Sequence, residues 1–241
     1  MKKLALLILL LPSVAAAQSF DLNALLPPGG GSSSAKIIQL LSVLTVLSVA
    51  PGLLIMVTSF TRFAIALSFL RTGLGLQSTP ANLVLISLAL FMTFYVMTPT
   101  LTQSWAAGVK PLMENKITEA EAFDRISQPF RQFMITHVRD KDIRLFEDLT
   151  KGKESGDIRK DVELRILIPA FMISELRRGF EIGFLIVVPF LAIDIIVAVL
   201  TMSMGMMMMP PATISLPAKI LFFILIDGWN LLVGSLIRSY S

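Results

Sequence analysis

The sequence predicts an all-α, membrane-associated fold made of helical hairpins with broken helices, together with an amphipathic helical polar domain. Composition is the first observation: 54% of the residues are hydrophobic and 16% are charged, a more apolar balance than soluble domains show. The second is that four long apolar runs flank one charged region in the middle of the chain. The third is proline inside several of these runs, which predicts kinked helices.

Composition also excludes several kinds of chemistry. The chain has no cysteine, which excludes disulfides, zinc–thiolate sites and thiol nucleophiles, and its one histidine, His137, is expected on a solvated helix face. Neither glycine-rich phosphate-binding motif is present, so no nucleotide site is expected. We predict no cofactor and no enzymatic activity. The basic residues form no cluster interleaved with aromatic residues, so nucleic-acid binding is not expected.

Five segments follow from composition and hydropathy. In chain order they are a signal peptide at 1–17, a flexible lead-in at 18–36, a first apolar hairpin at 37–109, a polar amphipathic helical domain at 110–165, and a second apolar hairpin with a methionine-rich tip at 166–241. The predicted spans are 37–60, 81–101, 182–205 and 216–237.

The N-terminal segment has the form of a secretory signal peptide. Lys2 and Lys3 precede an apolar core that is too short to span a bilayer, and a run of alanines before Gln18 suits cleavage. An uncleaved anchor is the alternative interpretation. Cleavage places the mature N-terminus outside the cytoplasm, which sets the orientation of all later spans.

Charge distribution predicts the same orientation. Arg62 and Arg71 are interpreted as markers of the first cytoplasmic loop, with contact to another protein as the alternative, and Lys219 borders the second loop. The near-neutral polar domain then lies on the periplasmic side. Within it, apolar residues at helical spacing predict two or three amphipathic helices, and Thr118 with Glu121 resembles a capping box.

The tip of the second hairpin is the most unusual stretch. Flexible, polarizable methionine side chains form a soft surface, and the prolines after them end one helix and begin the next. Ordinary packing of the tip is the alternative, and a copper site is weaker still because adjacent side chains point in different directions. The tip residues are Met206, Met207, Met208 and Met209.

The predicted hinge residues are Pro51, Gly52, Pro189, Pro210 and Pro211.

Charged residues inside the apolar runs need partners. A carboxylate at the centre of a bilayer costs about 2.5–3.5 kcal/mol on insertion scales, so such groups face protein or water. One interpretation satisfies the charges within one chain. The other pairs Glu175 or Asp194 with Lys219 of a neighbouring copy, and includes Asp227 as a fourth candidate. Broken, charged helices suit the walls of an assembly, so we expect an oligomer.

Three stretches together resemble the FliP family of flagellar type III export-gate proteins. They are residues 69–80 (FLRTGLGLQSTP), residues 180–194 (FEIGFLI with PFLAID) and residues 204–229 (MGMMM, PP, ISLP and DGW). The resemblance covers residues 37–240, and the signal peptide and the paired prolines favour the flagellar branch over its injectisome counterpart. Met209 stands where a branched aliphatic residue is expected and Gly73 where alanine is common, so the stiffness of these two places stays open.

The resemblance implies a subunit of a ring-like pore in the bacterial inner membrane, within the flagellar basal body. Several copies, a pentamer, are expected to assemble with FliQ and FliR, and FlhB and FlhA are further expected partners. Unfolded export substrates would pass through the pore, membrane lipid would contact its outside, and residues 206–208 would line it as a seal.

Two rival functions make different use of the same residues. A secondary transporter would use the broken helices and the aspartates for ion coupling and should contain an internal repeat, but the first half has no counterpart of the methionine-rich tip. An intramembrane aspartyl protease would need Asp194 and Asp227 to meet as a pair, and neither lies in a motif typical of such enzymes.

Overall fold

A computed structural model describes residues 33–150, 162–205 and 210–240, and these residues form helices and turns with no strand among them. The all-α prediction is confirmed. The helices are α1 (Ser33–Met56), α2 (Phe60–Gly73), α3 (Asn82–Ser104), α4 (Lys110–Met113), α5 (Glu119–His137), α6 (Asp140–Thr150), α7 (Leu164–Ser203), α8 (Pro211–Leu225) and α9 (Gly228–Arg238). The predicted signal peptide and the lead-in up to residue 32 lie outside the described residues.

The chain divides into two compact units, Met1–Pro51 and Gly52–Ser241. Within the first unit, the described side chains of α1 are mostly exposed apolar residues. The hydroxyls of Ser42 and Thr45 donate hydrogen bonds to the carbonyls of Ile38 and Leu41, four residues back, at 2.8 and 2.7 Å. These hydroxyls are therefore satisfied inside the helix and leave its surface compatible with an apolar environment.

In the second unit, α2 packs along α7 through a pair of glycines. A side chain at Gly179 would lie 3.1 Å from Ile65, and one at Gly183 would lie 2.6 Å from Phe69, so only glycine admits α2 this closely. The spacing of four residues puts both glycines on the same face of α7. Both glycines thus serve a close contact between two helices of one chain.

Two buried apolar clusters flank α7. The first joins α2, α3, α7, α8 and α9, and its most buried side chains include Phe63, Leu67, Leu70, Phe190 and Leu236. The second joins the polar helices α5 and α6 to the first turns of α7. Its most buried members include Met134, Ile143, Leu167 and Phe171. The long helix α7 is therefore shared by the apolar hairpins and the polar domain.

Helix α5 begins where the sequence predicts. The Thr118 hydroxyl accepts a hydrogen bond from the Glu121 amide at 3.3 Å, and the Glu121 carboxylate accepts one from the Thr118 amide at 3.1 Å. Both halves of the capping box are present, so the predicted helix start is confirmed.

Among the described residues, two helices are long and apolar enough to cross a membrane, at 82–113 and at 164–203, and up to four spans result if each of two bent helix pairs counts as one. The first of these continues from α3 through a π-helical turn, Trp105–Val109, into α4. Helix α7 has 40 residues, about 60 Å at 1.5 Å per residue, whereas the hydrocarbon core is about 30 Å thick. An upright helix of this length in a bilayer would extend beyond the hydrocarbon, in line with the polar contacts of α7 near its N-terminal end.

Candidate functional site

The first polar cluster is an ion pair buried between α2 and α7. The side chains of Arg62 and Glu175 are 1% and 0% exposed. Arg62 Nε donates a hydrogen bond to Glu175 Oε2 at 2.9 Å, and Nη2 donates to Oε1. Two parallel bonds of this kind make the strongest form of an arginine–carboxylate pair. Burying either charge alone in the protein would cost free energy, and pairing the two charges offsets that cost.

The C-terminal residues complete this cluster. Nη1 of Arg62 donates hydrogen bonds to the Ser239 carbonyl at 3.0 Å and to the Ser239 hydroxyl at 2.9 Å, and the Tyr240 hydroxyl donates to Glu175 Oε2. The Arg62 guanidinium carbon lies 3.7 Å from the centre of the Tyr240 ring, which adds a cation–π contact. Burial and then the Glu175 carboxylate raise the pKa of the Tyr240 phenol well above its ordinary value, so the phenol stays a neutral donor.

The Tyr240 ring also contacts the polar domain. Its centre lies 5.8 Å from the Phe133 ring in a stacked arrangement and 5.0 Å from the His137 ring. His137, which the sequence places on a solvated face, is instead half-buried here, and its Nδ1 lies 2.8 Å from the Phe133 carbonyl oxygen. One C-terminal tyrosine thus links α2, α7 and α5.

The second polar cluster joins α2, α7 and α8. Lys219 Nζ lies 2.6 Å from Asp194 Oδ2 and donates a hydrogen bond to the Gly73 carbonyl at 3.0 Å, while the Ser215 hydroxyl donates to Asp194 Oδ1 at 2.6 Å. Gly73 is the last residue of α2, where carbonyls lack helical partners and attract a cation. Lys219 therefore caps the C-terminal end of α2 and holds α7 and α8 together.

The second cluster is less enclosed than the first. The Lys219 side chain is 7% exposed, but that of Asp194 is 36% exposed. Gly73 is also tightly held, because a side chain there would lie 2.9 Å from Phe190. The connector that begins at Gly73 is thus anchored on α7 by packing as well as by the lysine.

Asp227 marks a bend between α8 and α9. Its backbone is in the left-handed region (φ 52°), and its carboxylate accepts a hydrogen bond from Asn230 Nδ2 at 3.1 Å. A side chain at Gly228 would lie 2.3 Å from Phe223, so the chain can turn only with glycine here. The two helices meet at 65°. The single span predicted for 216–237 is in fact this bent pair.

Comparison with known proteins decides the family. Residues 43–236 match the FliP family. The chain is 59% identical over 228 residues to the flagellar biosynthetic protein FliP of Rhizobium meliloti (strain 1021), a match that covers 94% of this chain and 93% of that protein. It is 52% identical over 203 residues to the flagellar biosynthetic protein FliP of Bacillus subtilis (strain 168), covering 84% and 91%. The chain belongs to the FliP family. The resemblance drawn from the three sequence stretches is confirmed.

In this FliP-family chain the methionine run, Met206, Met207, Met208 and Met209, lies outside the described residues, so its role as a seal stays a prediction. The structure does describe both flanks. Helix α7 ends at Ser203, Gly205 adopts a left-handed turn (φ 73°), and α8 begins at Pro211. The contacts of Asp194 with Ser215 and Lys219 hold the two flanking helices together. The run therefore connects the two arms of a closed helical hairpin.

The predicted hinge prolines occupy different places. Pro51 lies inside α1 and Pro189 lies inside α7, and both helices continue past them. Pro210 precedes α8, and Pro211 is its first residue, the position at which proline suits a helix. Movement at these residues and at Gly52 stays a prediction.

Within the chain, three of the four candidate charges already have close partners. Glu175 pairs with Arg62, and Asp194 pairs with Lys219. Asp227 forms no ion pair with another described residue and bonds to Asn230 instead. Pairing of Glu175 or Asp194 with Lys219 of a neighbouring copy stays a prediction, because a single chain does not test it.

Sequence reasoning missed three members of the first cluster: Arg62, Ser239 and Tyr240. The charge distribution predicts a cytoplasmic loop at Arg62, whereas the structure places Arg62 in α2, fully buried. Phe63, Leu67 and Leu70 follow Arg62 at helical spacing, and this pattern could have revealed the helix. The C-terminal residues carried no comparable signal. Among the described residues, no group of three or more acidic or histidine side chains could hold a metal ion.

Proposed function

We propose that this chain is a core subunit of the flagellar type III protein export gate and forms the pore through which unfolded flagellar subunits cross the inner membrane. Membership of the FliP family carries the proposal, because relatives that match along more than nine-tenths of the chain are named flagellar biosynthetic proteins. The long apolar helices support a place in the membrane, in the flagellar basal body.

A pore of this kind needs more than one chain. Many large apolar side chains on α3 and α7 are more than half exposed, far more than a soluble monomer leaves uncovered. Examples are Phe91, Phe94, Leu185 and Ile195. Copies of the chain, five in the proposed ring, together with FliQ and FliR, would cover part of this surface, and lipid would cover the rest. FlhB and FlhA are proposed as further neighbours.

The methionine run is proposed to close the pore. Apolar constrictions block ions because water leaves them, and flexible thioethers can separate around a peptide and then close again. The charge cluster of Asp194 and Lys219 supports this role, since it fixes the two helices that carry the run. The polar domain is proposed to lie on the periplasmic side, as the signal peptide predicts.

The test replaces the four methionines with alanine in a strain whose own gene is deleted. We expect the membrane to leak ions, because shorter side chains widen the closed pore, while wild-type protein restores both motility and secretion of flagellar subunits. A variant with Met56 and Met113 changed to alanine, two exposed methionines outside the run, is the matched control. Unchanged ion conductance of the membrane in the four-alanine variant would contradict the proposed seal. Secretion of flagellar subunits by the deletion strain without this chain would contradict its proposed role in the export gate.

A further inference from the structure

An apolar crevice opens where the α2–α3 connector meets the bent pair α8 and α9. Its volume is about 270 Å³, and its walls include Leu74, Leu85, Ile220, Phe223 and Trp229. A space of this size is below the usual range for whole small molecules, about 300–1,000 Å³, so it suits one part of a larger ligand. Trp229 is 43% exposed at this crevice, and tryptophan is enriched where membrane meets water.

Arg71 lies at the rim of this crevice and also lines a smaller one of about 140 Å³ beside Ser68 and Ile86. Its side chain is half-buried, and Nη1 donates a hydrogen bond to the amide oxygen of Asn82. That partner is neutral. No carboxylate among the described residues lies within 4.0 Å of the Arg71 guanidinium.

Arg71 therefore differs from Arg62 and Lys219, two buried cations of the same helical unit. Arg62 and Lys219 each face a carboxylate of the same chain, and these pairs use Glu175 and Asp194. Asp227, close in sequence to Trp229, bonds to Asn230. Within the part of the chain that the structure describes, the charge of Arg71 is thus left without an anion, beside an apolar space, in a chain with helices long and apolar enough to span a membrane.

We propose that this crevice binds an anionic phospholipid, with the phosphate on the Arg71 guanidinium and part of one acyl chain against Phe223 and Trp229. Arginine matches phosphate oxygens through two parallel hydrogen bonds, and basic pockets between membrane helices hold anionic head groups. Asn82 keeps the guanidinium at the rim. The apolar walls suit a hydrocarbon chain better than an acidic peptide, whose backbone would need polar partners there.

The test uses the full chain, purified and reconstituted with equal amounts of dioleoylphosphatidylglycerol and dioleoylphosphatidylcholine. Native mass spectrometry measures the ratio of the two lipids retained. One cation near a membrane surface contributes about 1 kcal/mol, so Arg71→Gln should lower the preference for phosphatidylglycerol about fivefold, and Arg71→Lys should keep most of it. Arg165→Gln, which removes one exposed charge at the start of α7, is the matched control and should change nothing.

A second variant protects the test against misfolding of the first. Ile220→Trp fills the crevice and leaves Arg71 in place, so it should reduce the retained phosphatidylglycerol even though no charge changes. Equal retention of the two lipids by the wild-type chain would overturn the proposal and would direct attention to an acidic segment of a partner protein. The proposal would also be overturned if the Arg71→Gln and Arg165→Gln variants showed the same preference for phosphatidylglycerol. It would be overturned as well if Ile220→Trp retained as much phosphatidylglycerol as the wild-type chain. The result is independent of the export function.

Discussion

Two ion pairs hold the same long helix, and they differ in how fully they are enclosed. Arg62 with Glu175 is sealed from solvent, with two parallel bonds and the Tyr240 ring against it. Lys219 with Asp194 involves one short contact, and more than a third of the aspartate side chain is exposed. The first pair lies where α7 meets the polar domain, and the second lies nearer the methionine run.

The difference indicates different tasks. A sealed pair adds little net stability over apolar residues, yet breaking it is costly, so it fixes one arrangement of the helices. A pair whose carboxylate is partly exposed loses less when it opens, because water can solvate that carboxylate. The subunit is thus rigid at the C-terminal cluster and more adjustable at the hairpin that carries the proposed seal.

The largest expected effect comes from Glu175→Gln. It leaves the Arg62 charge buried without a counter-ion, and the free energy of unfolding should fall by about 3–5 kcal/mol. Thermal unfolding of the purified chain in detergent measures this change. Replacing both Arg62 and Glu175 by methionine should recover much of the loss.

The control for that experiment is Glu181→Gln, which breaks an exposed pair with Arg177 on the same helix. It should leave the unfolding midpoint where it is, since exposed pairs contribute little. If Glu175→Gln were as mild as this control, the buried pair would not be holding the helices.

Tyr240→Phe should have the next largest effect. It keeps the ring on Arg62 and removes the hydroxyl that donates to Glu175, so the expected loss is about 1.5–3 kcal/mol, typical of a hydrogen bond to a charged group. Tyr240→Ala also removes the ring that stacks on Phe133, so in that variant limited proteolysis should in addition cleave the polar domain faster. Wild-type resistance in this variant would contradict the linking role of the C-terminus.

Asp194→Asn should cost less, about 1 kcal/mol, because water reaches the partly exposed side chain and the one amide oxygen still accepts from either Lys219 or Ser215. The same unfolding experiment measures it. A loss as large as that of Glu175→Gln would remove the contrast between the two clusters.

Charge reversal should give the smallest effect. It tests whether each ion pair forms within one chain or between neighbouring copies. We expect Asp194→Lys with Lys219→Asp to recover more assembled oligomer on a native gel than either single change, since these residues touch within one chain. Glu175→Lys with Lys219→Glu should recover none, as Glu175 faces Arg62. Recovery by the second swap would instead support pairing between neighbouring copies.

Much of the fold was predictable because local rules act over short distances. The apolar runs, the capping box at Thr118 and the helix start at Pro211 all follow from residues within a few positions of each other. The need of Glu175 and Asp194 for partners was equally clear from their apolar surroundings. The family assignment followed from three separate stretches that match together.

The identity of those partners was harder, because it depends on which helices meet. Arg62 and Glu175 are 113 positions apart, and Tyr240 joins them from the far end of the chain. Nothing in the sequence around Tyr240 distinguishes a tethered C-terminus from a loose one. The bend at Asp227 is local by contrast, since it depends on the contact of Gly228 with Phe223 and on the left-handed aspartate, and the Asp-Gly pair could have indicated it.

The central claim is that this chain works as one of several copies in a multi-chain pore. Mass measurement of the detergent-purified chain, expressed alone and together with FliQ and FliR, tests it most directly. We expect the co-expressed sample to contain several copies of the chain with both partners in one particle. A particle holding a single copy under both conditions would contradict the account.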